Sequence, residues 1–173
     1  GAFTFLKLLR YTGNKTADDY SNSVIKVYSE LLAEFNKLGA EWIQFDEPYL
    51  VHDLTESDIV LFEKLYKEIL TAKQGVKILV QTYFGDVRDC YNNILALDFD
   101  GIGLDFTEGK KTVEIIEKNG FANDKILFAG VVNGKNIWKN NYKKTLAVLD
   151  SLKEKGIETV IGTSCSLLHV PYT

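Results

Sequence analysis

Two adjacent carboxylates, Asp46 and Glu47, are the residues whose position most strongly suggests chemistry. They end the apolar segment Glu41–Pro48, and Pro48 stops a strand there because it has no N–H to donate. Ligands collect at the carboxyl ends of strands in parallel α/β folds, so the segment predicts a site at a strand end. Two neighbouring acids also repel each other unless a ligand, a cation or a donor is near. The alternative interpretation is that they only order the turn that follows.

Polar or reactive side chains also end three other predicted strands: Tyr83, Asp105, Ser164 and Cys165. We expect these side chains and Asp46 to lie close together around one opening, the mouth, at the carboxyl ends of the strands. The Cys165 thiolate could bind a soft metal or attack a carbon, although a lone cysteine is more often an inert buried thiol. His169 lies four residues further on, but Cys-x-x-x-His without another ligand nearby is a weak zinc signal. The residues therefore predict no complete zinc site.

A second group of candidates lies after the predicted strand 125–132. The segment Gly130–Gly134 lacks the full dinucleotide-binding pattern, so it does not predict a phosphate site. Asn136 and Trp138 follow it, and they either anchor the start of the next helix or form a lid over a ligand. Packing is the simpler role for both.

The elements that must position these residues alternate along the chain. Apolar runs predict six strands, at 3–8, 41–48, 76–83, 102–106, 125–132 and 159–165. Apolar positions at three- and four-residue spacing predict five helices, at 18–39, 55–74, 85–95, 113–119 and 137–155. Asp18 or Asp19 is the predicted cap of the first helix, and Thr55 with Asp58 forms the predicted capping box of the second.

Alternating strands and helices require a parallel sheet, because each helix is the crossover between strands that point the same way. The apolar strands 76–83 and 125–132 predict that both faces of this sheet are covered. A barrel of eight such units normally needs about 250 residues. We therefore expect residues 1–173 to be a single partial domain, an incomplete parallel (β/α)8 TIM-type barrel. Because such a barrel has exposed strand edges, we expect it either to self-associate or to close its sheet in a rearranged way.

Composition restricts the partners. The net charge of −4 is spread along the chain without a Lys/Arg block, which argues against nucleic acid or a membrane surface. The two cysteines are far apart in sequence, so they predict reduced thiols and a cytoplasmic protein. The chain contains no Met, and its first residue is Gly1, which suggests that it begins inside a longer protein.

Several strings together resemble the cobalamin-independent methionine synthases, and the resemblance covers essentially the whole chain. The last two strings are the most specific. The strings are Phe3-Thr-Phe-Leu-Lys-Leu8, Glu41-Trp-Ile-Gln-Phe-Asp-Glu-Pro48, Thr82-Tyr-Phe-Gly-Asp86, Gly130-Val-Val-Asn-Gly-Lys-Asn-Ile-Trp138 and Ser164-Cys-Ser-Leu-Leu-His-Val-Pro171.

This resemblance implies a protein of two similar barrels, of which only the C-terminal one holds the catalytic zinc. The strings here are those of the N-terminal barrel, and the chain is expected to be the C-terminal part of it. The resemblance places Asp46 where the catalytic repeat contacts homocysteine. The positions of the zinc ligands are Tyr83, Gly85, Asp105 and Cys165. Since at most two of these are ligands, no zinc is expected here, and the degenerate-site candidates are Asp46, Glu47, Tyr83, Asp105 and Cys165.

The family transfers a methyl group from methyltetrahydrofolate polyglutamate to homocysteine, which gives methionine. By resemblance, this chain is a non-catalytic scaffold and part of the folate-binding half, inactive alone, with the C-terminal barrel of the same polypeptide as its partner. The expected folate-side or lid contacts are Asn136, Trp138, Ser164 and His169. One alternative is a stand-alone barrel that alkylates thiols or decarboxylates, using Asp46, Asp105 and Cys165. The other is a pure interaction module.

Overall fold

A computed structural model describes residues 1–171 of the chain. Within those residues the strands form one sheet of five, all parallel and in chain order. The strands are β1 Trp42–Asp46, β2 Lys77–Gln81, β3 Gly101–Asp105, β4 Ile126–Val132 and β5 Thr159–Thr163. The α-helices are α1 Ala2–Leu8, α2 Ala17–Lys37, α3 Glu56–Thr71, α4 Tyr91–Ala96, α5 Thr112–Asn119 and α6 Tyr142–Glu154. Short 3₁₀ turns occupy Pro48–Val51 and Leu167–His169. The prediction of a parallel α/β fold is confirmed.

The predicted strand 3–8 is wrong, because these residues form helix α1. A six-residue apolar run fits a strand or a buried helix equally well by pattern. Phe3 and Leu6 are both fully buried and lie one helical turn apart. The 171 residues described therefore hold five strands and six α-helices, where the sequence predicted six and five.

Helix boundaries follow capping residues more closely than the apolar pattern. Helix α2 is capped by Thr16, with Asp19 completing a capping box, so neither aspartate is the cap itself. The predicted box of Thr55 and Asp58 at the start of α3 is confirmed. Helix α6 begins at Tyr142 rather than 137, because the Asn141 side chain accepts the Lys144 N–H at 3.2 Å. Helix α4 is likewise shorter than the predicted 85–95.

The two faces of the sheet are covered differently. The helices bury one face, where the core residues Ile78, Val80 and Ile102 lie. On the other face the rings of Trp42 and Phe128 pack edge to face across Gly101, with centroids 5.6 Å apart. The predicted coverage of both faces thus holds in the middle of the sheet. At the edges it does not, because Gln44, Val160 and Ile161 are exposed.

Across residues 1–171, no helix combines the length and the apolar character that crossing a membrane would require.

Candidate functional site

A small cavity lies on the face opposite the helices, at the carboxyl end of the strands. It has a volume of about 220 Å³, and its lining includes Gln44, Asp46, Gln81, Tyr83 and Cys165. Three of the predicted site residues therefore do meet in one place. The Asp46 carboxylate accepts a hydrogen bond from the Gln44 amide at 2.7 Å and a long one from the Tyr83 hydroxyl at 3.4 Å.

The pKa of the Tyr83 hydroxyl, which lines this cavity, is shifted from its ordinary value. Burial raises its pKa to about 12, and the negative charge of Asp46 adds to the shift. The phenol therefore stays protonated and acts as a donor toward Asp46 at neutral pH. A neutral phenol in this position is poorly suited to ligate a metal ion or to serve as a base.

Glu47 points away from the cavity, although it follows Asp46 directly. The Glu47 N–H bonds the Gln81 carbonyl at 2.8 Å, so the strand continues through this residue and successive side chains face opposite sides. Its fully buried carboxylate accepts the N–H groups of Phe3 at 2.9 Å and Thr4 at 2.7 Å. The hydroxyl of Tyr66 donates a third hydrogen bond. Glu47 thus holds the first turn of α1 against the sheet.

Burial, followed by the nearby Glu47 carboxylate, raises the pKa of Tyr66 well above its ordinary value. The pair therefore consists of an acceptor and a protonated donor. The predicted repulsion between Asp46 and Glu47 is relieved by protein donors on opposite sides of the sheet.

Asp105 is also buried, and its carboxylate ties two loops together. One oxygen accepts the Thr107 N–H at 2.7 Å, the Thr107 hydroxyl at 2.9 Å and the Glu108 N–H at 2.9 Å. The other accepts the Phe84 N–H at 3.0 Å. This last bond holds Phe84 at φ 74°, a left-handed conformation that is uncommon for a bulky residue. Four donors leave Asp105 little capacity to bind anything else.

Ser164 and Cys165 are buried where β5 passes the loop after β4. The Ser164 hydroxyl accepts the Gly134 N–H at 3.1 Å. A Cβ at position 134 would lie 2.5 Å from the Cys165 carbonyl oxygen, so only glycine allows this approach. Burial raises the pKa of the Cys165 thiol, and the charge of Asp105 adds to the shift. The thiol is therefore less nucleophilic than an ordinary cysteine at neutral pH.

Among the remaining candidates, His169 lies at the rim of the cavity, where its ring centroid is 6.2 Å from that of Tyr83, while Asn136 and Trp138 belong to the loop after β4. The Asn136 side chain accepts the Trp138 N–H at 3.0 Å, which closes a turn, while the Trp138 side chain is 79% exposed. The ring of exposed His169 meets Phe84 edge to face at 4.9 Å. Lys135 reaches the same Phe84 ring at 4.8 Å and pairs with Glu108 at 2.9 Å. The rim thus carries aromatic surface and an ion pair beside the cavity.

Sequence reasoning missed three residues of this region. Gln44 and Gln81 line the cavity, and the period-2 alternation with Asp46 and Tyr83 could have indicated them. Phe84 carried no such signal, since its left-handed backbone depends on Asp105, a residue of the next strand.

The residues at the positions of the family's zinc ligands, Tyr83, Gly85, Asp105 and Cys165, are not suited to bind zinc together. Over residues 1–171 no three His, Cys, Asp or Glu side chains are grouped closely enough to hold a metal ion. The loop at Gly85 is also tight, because a Cβ there would lie 3.1 Å from the Val51 Cβ. A ligating side chain at this position would require the Pro48–Val51 turn to shift.

The fold and the site define a class: a parallel α/β protein with one helix-covered face and a polar mouth at its strand ends. A family model described as cobalamin-independent synthase, N-terminal domain, matches residues 1–156. The chain therefore belongs to the cobalamin-independent synthase family and lies within its N-terminal domain.

Relatives agree with this assignment. The chain is 54% identical over 173 residues to a 5-methyltetrahydropteroyltriglutamate–homocysteine methyltransferase of Lactococcus lactis subsp. lactis. It is 49% identical to the protein of the same name from Campylobacter jejuni subsp. jejuni. In both cases all of this chain matches, and it spans 23% of the relative's length.

A solved structure from Listeria monocytogenes, assigned as a vitamin-B12 independent methionine synthase, shares the fold. It superposes with a TM-score of 0.72 at 17% identity, over 87% of this chain and 49% of that one.

Proposed function

We propose that residues 1–173 are the C-terminal part of the N-terminal, zinc-free barrel of a cobalamin-independent methionine synthase. In this proposal the sheet β1 to β5 is an incomplete (β/α)8 barrel. The consecutive parallel order of the strands supports the proposal, as does the layer of Trp42 and Phe128 on the face that would line a barrel interior. Within residues 1–171 the outer edges of β1 and β5 have no pairing strand, and further strands of a barrel would join there.

The complete protein, in this proposal, is a cytoplasmic enzyme that transfers the methyl group of 5-methyltetrahydropteroyl polyglutamate to homocysteine. Zinc and the methyl-transfer chemistry belong to the C-terminal barrel of the same polypeptide. This half is a scaffold and contributes one face of the folate site. His169, exposed beside Tyr83, and Trp138, exposed on the loop after β4, are the proposed folate contacts. Asn136 and Ser164 shape the loops beneath them.

One observation carries the non-catalytic role. The two buried carboxylates at the strand ends, Glu47 and Asp105, are already occupied by internal donors. A carboxylate that accepts three or four hydrogen bonds from its own chain is neither a free metal ligand nor a poised base.

The test is methionine formation from methyl-folate and homocysteine by this chain, by the C-terminal barrel, and by the two together. We expect no turnover by this chain alone. Turnover by the purified chain would overturn the proposal.

Metal analysis separates the stand-alone alternative. Stoichiometric zinc that is lost on Cys165→Ser would favour an independent thiol alkyltransferase. We expect zinc to follow the C-terminal barrel instead, with this chain at background level before and after the substitution.

A further inference from the structure

The loop after β2 carries a strained residue beside the cavity. Phe84 directly follows Tyr83, has a φ of 74°, and is 37% exposed. A left-handed backbone is unfavourable for a residue with a bulky side chain. The Asp105 carboxylate offsets this cost by accepting the Phe84 N–H at 3.0 Å. Because the strain and one hydrogen bond to a charged group are of similar size, this conformation is favoured by only a small margin.

In this conformation the Phe84 ring contacts side chains from three strand ends. Its centroid lies 4.7 Å from that of Tyr83, and the two rings meet edge to face. The ring of His169, which follows β5, meets it edge to face at 4.9 Å. The Lys135 ammonium, which follows β4, lies 4.8 Å from the same centroid. One partly exposed ring therefore joins the segments that follow β2, β4 and β5.

The segment after β4 lies against the Cys165 thiol. A Cβ added to Gly134 would be only 3.0 Å from the Cys165 Sγ, and the Gly134 N–H donates to the Ser164 hydroxyl at 3.1 Å. Cys165 lines the cavity but is only 4% exposed. Lys135, the next residue of this segment, is the one that the Phe84 ring contacts. The contact between Phe84 and Lys135 therefore helps to keep this segment over the thiol.

The other contacts of Lys135 are weaker ties. Its ammonium pairs with Glu108 at 2.9 Å, but the two side chains are 42% and 35% exposed. Ion pairs with this much solvent access contribute little. The Lys135 N–H donates to the Asn133 side chain at 2.8 Å, a bond inside the segment that would move with it. The Phe84 ring is therefore well placed to decide where this segment lies.

We propose that Phe84 is a latch at the mouth, with a closed state and an open state. In the closed state, described above, its ring holds Lys135 and His169. In the open state the Phe84 backbone leaves the left-handed region, the ring releases both side chains, and the segment after β4 moves away from Cys165. Opening admits small molecules to the cavity that Cys165 lines. The inference rests on contacts among these residues and is independent of the proposed methyl transfer.

The experiment measures how fast iodoacetamide alkylates each cysteine of the folded 173-residue chain. Mass spectrometry of the digested chain quantifies Cys165 and Cys90 separately. Cys90 is the internal reference, because it is fully buried and its thiol donates to the Leu50 carbonyl, away from the mouth. A buried thiol reacts only when the structure around it opens, so the rate at Cys165 reports opening of the latch. The rate at Cys90 reports opening of the core.

Phe84→Asn removes the ring, while asparagine tolerates the left-handed backbone. We expect Cys165 to react about tenfold faster, because the aromatic and cation–π contacts that favour the closed state are lost. The rate at Cys90 should not change. Phe35→Asn is the matched control, since Phe35 on α2 is 40% exposed, and it should leave both rates unchanged. An unchanged rate at Cys165 in Phe84→Asn, or a parallel rise at Cys90, would overturn the proposal.

Lys135→Gln separates the latch from a simple effect of charge. Burial raises the pKa of the Cys165 thiol, and the Lys135 charge partly opposes that shift. Loss of the charge alone would therefore reduce the thiolate fraction and slow alkylation at a fixed pH. The latch predicts the opposite, a rate about twofold to fivefold faster, because the cation–π contact is lost. Slower alkylation of this variant would overturn the proposal.

Lys135→Gln also keeps the proposal testable if Phe84→Asn is unfolded, because it alters an exposed side chain. Circular dichroism and urea denaturation show whether each variant retains the fold.

Discussion

At the scale of single residues, the two buried carboxylates at the strand ends, Glu47 and Asp105, are stabilised by hydrogen-bond donors rather than by counter-ions. Glu47 accepts two backbone N–H groups and a phenol, and Asp105 accepts three N–H groups and a hydroxyl. An isolated buried carboxylate would be very costly, and several donors offset much of that cost. Because the donors of Glu47 belong to α1, this acid connects a helix start to a strand end.

Glu47→Gln tests that connection. The amide would turn an NH₂ group toward the donors of α1 or of Tyr66, leaving at least one buried donor unsatisfied. We expect the free energy of unfolding to fall by about 1–3 kcal/mol, measured by urea denaturation. Asp46→Asn is the control, since Asp46 is only half-buried and receives two side-chain donors, and its loss should be smaller. Equal losses for the two substitutions would contradict the role given to Glu47.

Tyr83 gives a prediction at alkaline pH. Its pKa in the folded chain is raised to about 12, whereas an unfolded tyrosine titrates near 10. The folded state therefore binds the proton more tightly, so this contribution to stability is complete below pH 10. It is lost as the pH rises through about 12.

Phenolate absorbance is the measurement for this shift. Subtracting the titration of Tyr83→Phe from that of the unaltered chain should isolate a late-titrating tyrosine. Asp46→Asn should move that titration to lower pH, because it removes a charge and weakens the hydrogen bond at the phenol. A difference curve centred at the ordinary tyrosine value would show that the phenol is not buried.

At the scale of elements, close approaches between strands and loops fix where the site lies. Gly130 sits where β4 passes β5, and a Cβ there would lie 2.8 Å from the Ser164 Cα and 3.1 Å from the Leu104 carbonyl oxygen. At Gly103 on β3 a Cβ would instead meet the Gln81 side-chain amide, at 2.0 Å. The first obstacle is backbone and cannot move alone, while the second is the end of a flexible side chain.

Gly130→Ala and Gly103→Ala are therefore a matched pair. We expect Gly130→Ala to lower the free energy of unfolding by about 1–3 kcal/mol through overpacking. Gly103→Ala should cost less, because Gln81 can turn aside. Thermal unfolding of both variants measures the difference. The reverse order would mean that β4 and β5 can separate more easily than the Gln81 side chain can rotate.

At the scale of the whole molecule, burial decreases from the centre of the sheet to its edges. All five residues of β3 are buried, whereas three of the five residues of β5 are exposed, the other two are of intermediate burial and none is buried. Local opening requires least energy where few apolar contacts are lost. The edges should therefore open more readily than the centre, even though all strands belong to one sheet.

Amide hydrogen exchange of the chain tests this gradient. We expect β3 to exchange most slowly and β5 to exchange faster by at least an order of magnitude. Slow exchange of β5 would contradict an open edge.

The sequence alone was sufficient for much of this architecture. The alternation of apolar runs predicted strands β1 to β5 and helices α2 to α6, because periodicity reports directly which side of an element is buried. The box of Thr55 and Asp58 was readable because its partners are three residues apart. The convergence of Asp46, Tyr83 and Cys165 followed from parallel strands ending on one side.

Tertiary structure alone decided the state of residues 3–8 and the roles of the acids. The N–H groups of Phe3 and Thr4 find their acceptor at Glu47, more than forty residues away, and no local pattern encodes such a contact. Asp105 likewise acts through Phe84 on another strand. Residue types and spacing placed carboxylates at the strand ends. Whether each faced the mouth or an internal donor depended on which distant backbone groups folding brought within hydrogen-bonding distance.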